Sequence, residues 1–130
     1  MNDNKMMETL CEYLGGSGVG VFMPEVWREG AFAIFLTGKT ELCKQYVNGD
    51  RVVAVEFEIR SRCPGESAGD RLVVLKNYSC LADYVKKTPF PEAGAEVLMV
   101  KGAQKAKVYK DGSEEYSVTC KLRYLKRRGE

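Results

Sequence analysis

The 130-residue sequence predicts an α+β fold in a single domain: one mixed or antiparallel sheet with two helices packed on one face, closed by a β-hairpin. One observation is alternation. Val53, Val55, Phe57 and Ile59 alternate with Glu56, Glu58 and Arg60, and Tyr116, Val118, Cys120, Leu122 and Tyr124 alternate with Ser117, Thr119, Lys121 and Arg123, as in half-buried strands. The other is helical spacing in two stretches, each with a single apolar stripe that one sheet face can bury.

Taken in order, Met6, Met7, Leu10, Cys11 and Leu14 place a first helix over residues 3–14, and Gly15-Gly16 breaks it. Val19 to Met23 forms a short apolar strand that Pro24 ends, and Glu25 to Gly30, around Trp27, reads as a loop. Ala31 to Thr37 suits a buried strand, with Gly38-Lys39 as a turn after it. Asn48-Gly49 is a hairpin signal, so Thr40 to Val47 pairs with, or leads into, the strand Arg51 to Ser61. A second helix covers residues 67–87, with Ala68, Leu72, Leu75, Tyr78 or Ser79, Ala82 and Val85 as its stripe and Pro89 and Pro91 beyond its end. Strands at 96–101, 103–110 and 114–125 complete the chain, the last two joined across Asp111-Gly112, where positive φ is cheap for glycine.

A chain of this length buries enough surface to be stable without a metal or disulfide. No apolar run approaches the roughly 20 residues needed to cross a bilayer, and the start MNDNKMMETL lacks the regions of a signal peptide, so the expected compartment is the cytosol. The five cysteines are widely spaced and odd in number, as free thiols are, several of them suited to a core. With no histidine, Cys-His and Ser-His-Asp hydrolases are excluded within one chain. The net charge of +2 hides an asymmetry: residues 1–65 carry seven basic and nine acidic side chains, whereas residues 66–130 carry thirteen and nine. A basic closing sheet and tail can meet nucleic acid or an acidic protein surface.

Several motifs resolve to ordinary structure. Ala33 to Thr40 imitates a phosphate-binding loop, but its centre is Ile-Phe-Leu and too little sequence follows for the required helix. Gly15, Gly16, Gly18 and Gly20 lie after a helix and before a strand, the reverse of a dinucleotide-binding turn. Glu56 and Glu58 share a strand face with Arg60, the usual pattern of a wet face. Asn77-Tyr78-Ser79 is a glycosylation sequon within a helix of a cytosolic chain and is set aside. Trp27 is either a core plug or an exposed anchor for a partner, and Lys126-Arg127-Arg128 is either a solvated tail or a grip for phosphate or acidic protein.

The helix at 3–14, strands VGVFM, AFAIFLT and VVAVEFEIRSR, the second helix and the ending YKDGSEEYSVTCKLRY together resemble one family across nearly the whole chain. This is the family of minor capsid or tail-terminator (tail-completion) proteins of long-tailed bacteriophages and prophages. The resemblance implies a small α+β structural protein, not an enzyme, that closes into a ring, hexameric in the matched tails. It implies a cap on the tail tube that joins it to the head connector. The implied partners are further copies of the chain, the tail-tube protein and the head-connector protein. The implied locations are the bacterial cytoplasm during assembly and then the tail–head junction of the virion. No catalytic residue, cofactor or metal ligand carries over. The candidate contacts with subunits or partners are Trp27, Lys107, Tyr109, Lys121, Arg123, Lys126, Arg127 and Arg128, with the outer face or tip of the closing hairpin expected against a neighbour. The alternative function is a small nucleic-acid-binding module using the basic C-terminal sheet and tail.

Overall fold

A computed structural model describes residues 3–24, 31–63, 68–92 and 94–129. Trp27 lies outside the described residues. The elements are α1 (Asp3–Gly15), β1 (Val21–Pro24), β2 (Ala31–Gln45), β3 (Arg51–Cys63), α2 (Ala68–Lys87), β4 (Glu96–Val108) and β5 (Glu114–Lys126). The five strands form one sheet in the order β1-β2-β3-β5-β4, with β1 parallel to β2 and every other pair antiparallel. The predicted α+β class with a single mixed sheet and two helices is the one the chain adopts.

The alternation in β3 and β5 sets which face is the core. Val53, Phe57 and Ile59 from β3 and Tyr116, Val118, Cys120, Leu122 and Tyr124 from β5 are all buried on the same side. Met6, Leu10 and Leu14 of α1 and Tyr78 and Leu81 of α2 pack onto them in one cluster. The two helices are tied side by side on that face: the Tyr13 hydroxyl donates to the Thr88 carbonyl (2.7 Å), and the Tyr84 hydroxyl donates to the Tyr13 carbonyl (2.8 Å).

Both hairpin loops share one geometry, and the sequence explains it. In Tyr46-Val-Asn-Gly-Asp50 and Tyr109-Lys-Asp-Gly-Ser113 the glycine N–H bonds the tyrosine carbonyl, and the tyrosine N–H bonds the carbonyl of the fifth residue. The third residue's side-chain oxygen accepts the fifth residue's N–H, from Asp50 to Asn48 (3.0 Å) and from Ser113 to Asp111 (2.9 Å). Gly49 and Gly112 take φ of 96° and 87°, the left-handed conformation that completes such loops.

Three expectations are corrected. Residues 31–37 and 40–47 are not two strands around a turn: β2 runs unbroken from Ala31 to Gln45 with a bulge between Leu36 and Thr40. Gly38, at φ 83°, absorbs the extra residues without reversing the chain, so pairing with β3 resumes beyond it. Residues 96–101 and 103–110 likewise form one strand, β4, whose register slips at three points between Met99 and Lys107. The stripe of α2 that faces the core is Val74, Tyr78, Leu81 and Val85, with Tyr78 and Leu81 buried and Val74 and Val85 partly so; Tyr78 and Val85 belong to the expected stripe, whereas Leu72 and Leu75 stand 65% and 41% exposed, Ser79 is exposed, and the Ala68 side chain lies outside the described residues. Both stripes satisfy the helical period. The deeper one holds the tyrosine whose hydroxyl finds polar partners in the core: Ser61 Oγ (2.7 Å) and the Tyr116 carbonyl (3.2 Å).

Candidate assembly interface

With both helices on one face, the opposite face of the sheet is bare among the described residues, and its charges are paired along and across strands. Glu56 accepts the Thr37 hydroxyl (2.7 Å) and lies 3.9 Å from Lys39 Nζ. Arg60 bonds Glu58 through two nitrogens (2.9 and 2.6 Å) while its guanidinium covers the Phe35 ring. Glu56 and Glu58 are thus held by separate basic neighbours, as expected of a wet strand face. Lys121 pairs with Glu41 (3.1 Å) and Arg123 with Glu96, so these two candidate contacts tie β5 across β3 to β2 and to its neighbour β4.

The remaining candidates fall at opposite ends of β5, whose 13 residues span about 40 Å. At the tip of the β4–β5 hairpin, Tyr109 is half-buried, its ring covered by the Arg62 guanidinium (3.9 Å) and its hydroxyl donated to Glu115 (3.3 Å). Lys107 is exposed beside the same ring, its Nζ 4.8 Å from the centroid. Hydrogen bonds from the Ser113 hydroxyl and N–H hold the Asp111 carboxyl below its ordinary pKa, fixing the loop. At the other end, Lys126 is half-buried opposite Arg51, and Arg127 and Arg128 are exposed. Arg128 is docked on the Asn48-Gly49 turn: its N–H donates to Asp50 (2.9 Å), and its side chain lies over Gly49. The basic residues that look contiguous in sequence therefore make two separate patches.

The sheet ends in two open edges. β4 has a strand neighbour on one side only, and β1 covers β2 only from Ala31 to Ile34, which leaves Phe35–Gln45 without a second partner strand among the described residues. Leu98, Val100 and Val108 are exposed on β4, and Leu42 on β2. The bulges of β4 leave Glu96–Met99 as its regular stretch, each residue paired in step with Arg123–Cys120. Along that stretch runs a groove of about 630 Å³ between β4 and the end of α2. Val85, Phe90, Val97 and Met99 give it an apolar floor, and Lys86 and Lys87 stand exposed at its rim. Sequence reasoning did not find this groove. The signal was present in Lys86-Lys87 beside Pro89-Phe90-Pro91, but those residues read equally well as a helix end.

The five cysteines are all free. Cys63 and Cys120 are core residues, and burial pushes the Cys120 thiol up to about 12. Burial, with a smaller effect from the charge of Glu12, raises Cys11 to about 11. Among the described residues no group of three or more Cys, Asp or Glu side chains is placed to hold a metal ion. No helix among them is long and apolar enough to cross a membrane. No protein-family model and no curated protein sequence matches the chain.

Proposed function

We propose that the chain is a structural subunit of a long-tailed phage or prophage that closes into a ring at the end of the tail tube and joins it to the head connector. The observation that supports this best is the sheet itself, bare on one face and open at both edges, with apolar side chains exposed along β4. Open edges and bare faces are the surfaces by which sheets add neighbours. Contacts between two different surfaces of like subunits close into rings when the rotation allows. A junction subunit must also meet unlike partners, and the charged face, the hairpin tip and the two edges offer surfaces of different chemistry. The nucleic-acid reading draws less support, because Lys105, Lys121 and Arg123 are already paired with Glu114, Glu41 and Glu96. Phosphate would have to displace those carboxylates.

Deletion of the gene from the phage or prophage that carries it is the direct test. Electron microscopy of the lysate is expected to show overlong or headless tails, and normal virions would count against the proposal.

A further inference from the structure

α2 packs on the sheet through Val74, Tyr78, Leu81 and Val85, so the stripe half a turn round the helix, Leu72, Lys76, Cys80, Asp83 and Lys87, faces away from it. Every residue of that stripe is exposed, as are Val73 and Ser79 beside it. Its apolar part is at one end, where Leu72 and Val73 stand 65% and 58% exposed. Its charges are unused: Lys76 and Asp83 lie two turns apart on the stripe, and neither makes an ion pair among the described residues. The same holds for Lys87 at its C-terminal end.

The order of these groups along the helix is its own complement. With a second α2 laid antiparallel on the first and a two-fold axis between Ser79 and Cys80, Lys76 of each copy meets Asp83 of the other. Leu72 and Val73 then meet Lys87 and Lys86, whose aliphatic stems cover apolar side chains while their ammonium groups stay in water. Ser79 and Cys80, the small residues of this face, fall at the crossing point, where the helix axes approach to about 8–10 Å. Antiparallel helices also oppose their dipoles favourably. A parallel pairing sets Lys76 against Lys76 and Asp83 against Asp83, and a two-fold axis nearer Leu72 leaves Asp83 facing no lysine of the helix. A partner of another sequence would have to reproduce this order of charges; a second copy carries it already.

We propose that the outer stripe of α2 pairs with the same stripe of a second copy of the chain, antiparallel about an axis between Ser79 and Cys80. The pairing goes beyond the assembly reading and does not rest on it, since α2 covers the side of the sheet away from the bare face and the contact needs neither strand edge. Two single helix faces bury less than the roughly 1,200–2,000 Å² of a stable interface, so the dissociation constant is on the order of 100 µM.

The test uses the full chain with Cys43→Ser, which leaves Cys80 as its exposed cysteine, and combines sedimentation equilibrium with crosslinking by a short bismaleimide read by mass spectrometry. Dimers joined from Cys80 to Cys80 are expected, their yield rising with protein concentration up to about 1 mM. Lys76→Glu sets carboxylates against each other at both charge contacts, and Asp83→Lys sets ammonium groups against each other. Each variant, confirmed as folded by circular dichroism, is expected to dimerise about tenfold more weakly, because two pairs are lost and two repulsions gained. An equimolar mixture of the two variants is expected to recover the crosslinked dimer as a heterodimer, since one contact then carries the native pair and the other the same pair with its charges exchanged. A chain that stays monomeric to about 1 mM overturns the proposal. So does a mixture that recovers no dimer, or either single variant dimerising as well as the parent. Crosslinks that form more readily through Leu72→Cys/Cys80→Ser than through Cys80 place the axis elsewhere and overturn it as well.

Discussion

Tyr78→Phe tests the polar anchor that sets the face of α2. The Tyr78 hydroxyl is buried, 2.7 Å from Ser61 Oγ, 3.2 Å from the Tyr116 carbonyl and 3.5 Å from that of Ile59. Carbonyls only accept, so Tyr78 donates to one of them and Ser61 donates to Tyr78. Removing the Tyr78 hydroxyl strands a buried serine donor, which costs about 1–3 kcal/mol. Ser61→Ala leaves Tyr78 its carbonyl acceptors and strands nothing, at a cost of about 0.5–1 kcal/mol. In the double variant the stranded donor is gone, so the combined cost falls short of the sum by about 1 kcal/mol. Urea unfolding followed by circular dichroism measures all four proteins; with a slope of about 1.5 kcal/mol per M, Tyr78→Phe lowers the midpoint by about 0.7–2 M. The effect has a pH signature. Burial raises the Tyr78 pKa in the folded chain, so above pH ~10 the unfolded chain loses this proton first. The folded state then holds more protons, stability falls as pH rises, and Tyr78→Phe removes that part of the loss. Equal costs for Tyr78→Phe and Ser61→Ala, or strict additivity of the two, would refute the donor order assigned here.

Other predictions follow from the same packing. Leu81→Ala, at a fully buried position, is expected to cost about 2–5 kcal/mol, whereas Leu72→Ala stays within about 0.5 kcal/mol of the parent; a reversed ranking in denaturant melts would restore the stripe first read from periodicity. Gly49→Ala and Gly112→Ala each force an L residue to positive φ and are expected to lose about 1–2 kcal/mol in thermal melts. Their costs should match, because a Cβ at Gly49 meets only the movable side chain of Arg128 (3.1 Å) and one at Gly112 meets nothing within 4 Å. Iodoacetamide at neutral pH, read by mass spectrometry, is expected to modify exposed Cys43 and Cys80 rapidly and Cys11 slowly, sparing Cys63 and Cys120 until urea unfolds the chain; early labelling of Cys120 would contradict its place in the core.

Much of the fold was legible along the chain. The alternation of residues 53–59 and 116–124 fixed the inward faces of β3 and β5, because side chains on a strand have no other way to divide between core and solvent. Asn48-Gly49 and Asp111-Gly112 marked both hairpin loops, since a left-handed residue is needed there and few side chains accept it. Pro89 stood just past the end of α2 for a similarly local reason. The candidate interface was less legible. Its basic residues were visible, but sequence proximity joined Tyr109 to Arg128, which the length of β5 holds apart.

Periodicity, turn chemistry and composition are properties of a few neighbouring residues, and they determined the class, the elements and the direction each strand faces. The tertiary structure decided what depends on residues far apart. It placed β5 between β3 and β4 and carried β2 through its bulge at Gly38 as one strand. It turned the Tyr78 stripe of α2 to the core, where Leu81 is fully buried and the Tyr78 hydroxyl reaches Ser61 and the Tyr116 carbonyl. That choice left Leu72 and Leu75 exposed on the flank of α2 that lines the groove beside β4. Contacts between residues far apart in the chain, apolar packing around Leu81 together with partners for the Tyr78 hydroxyl, thus settled which face of α2 is core and which is surface.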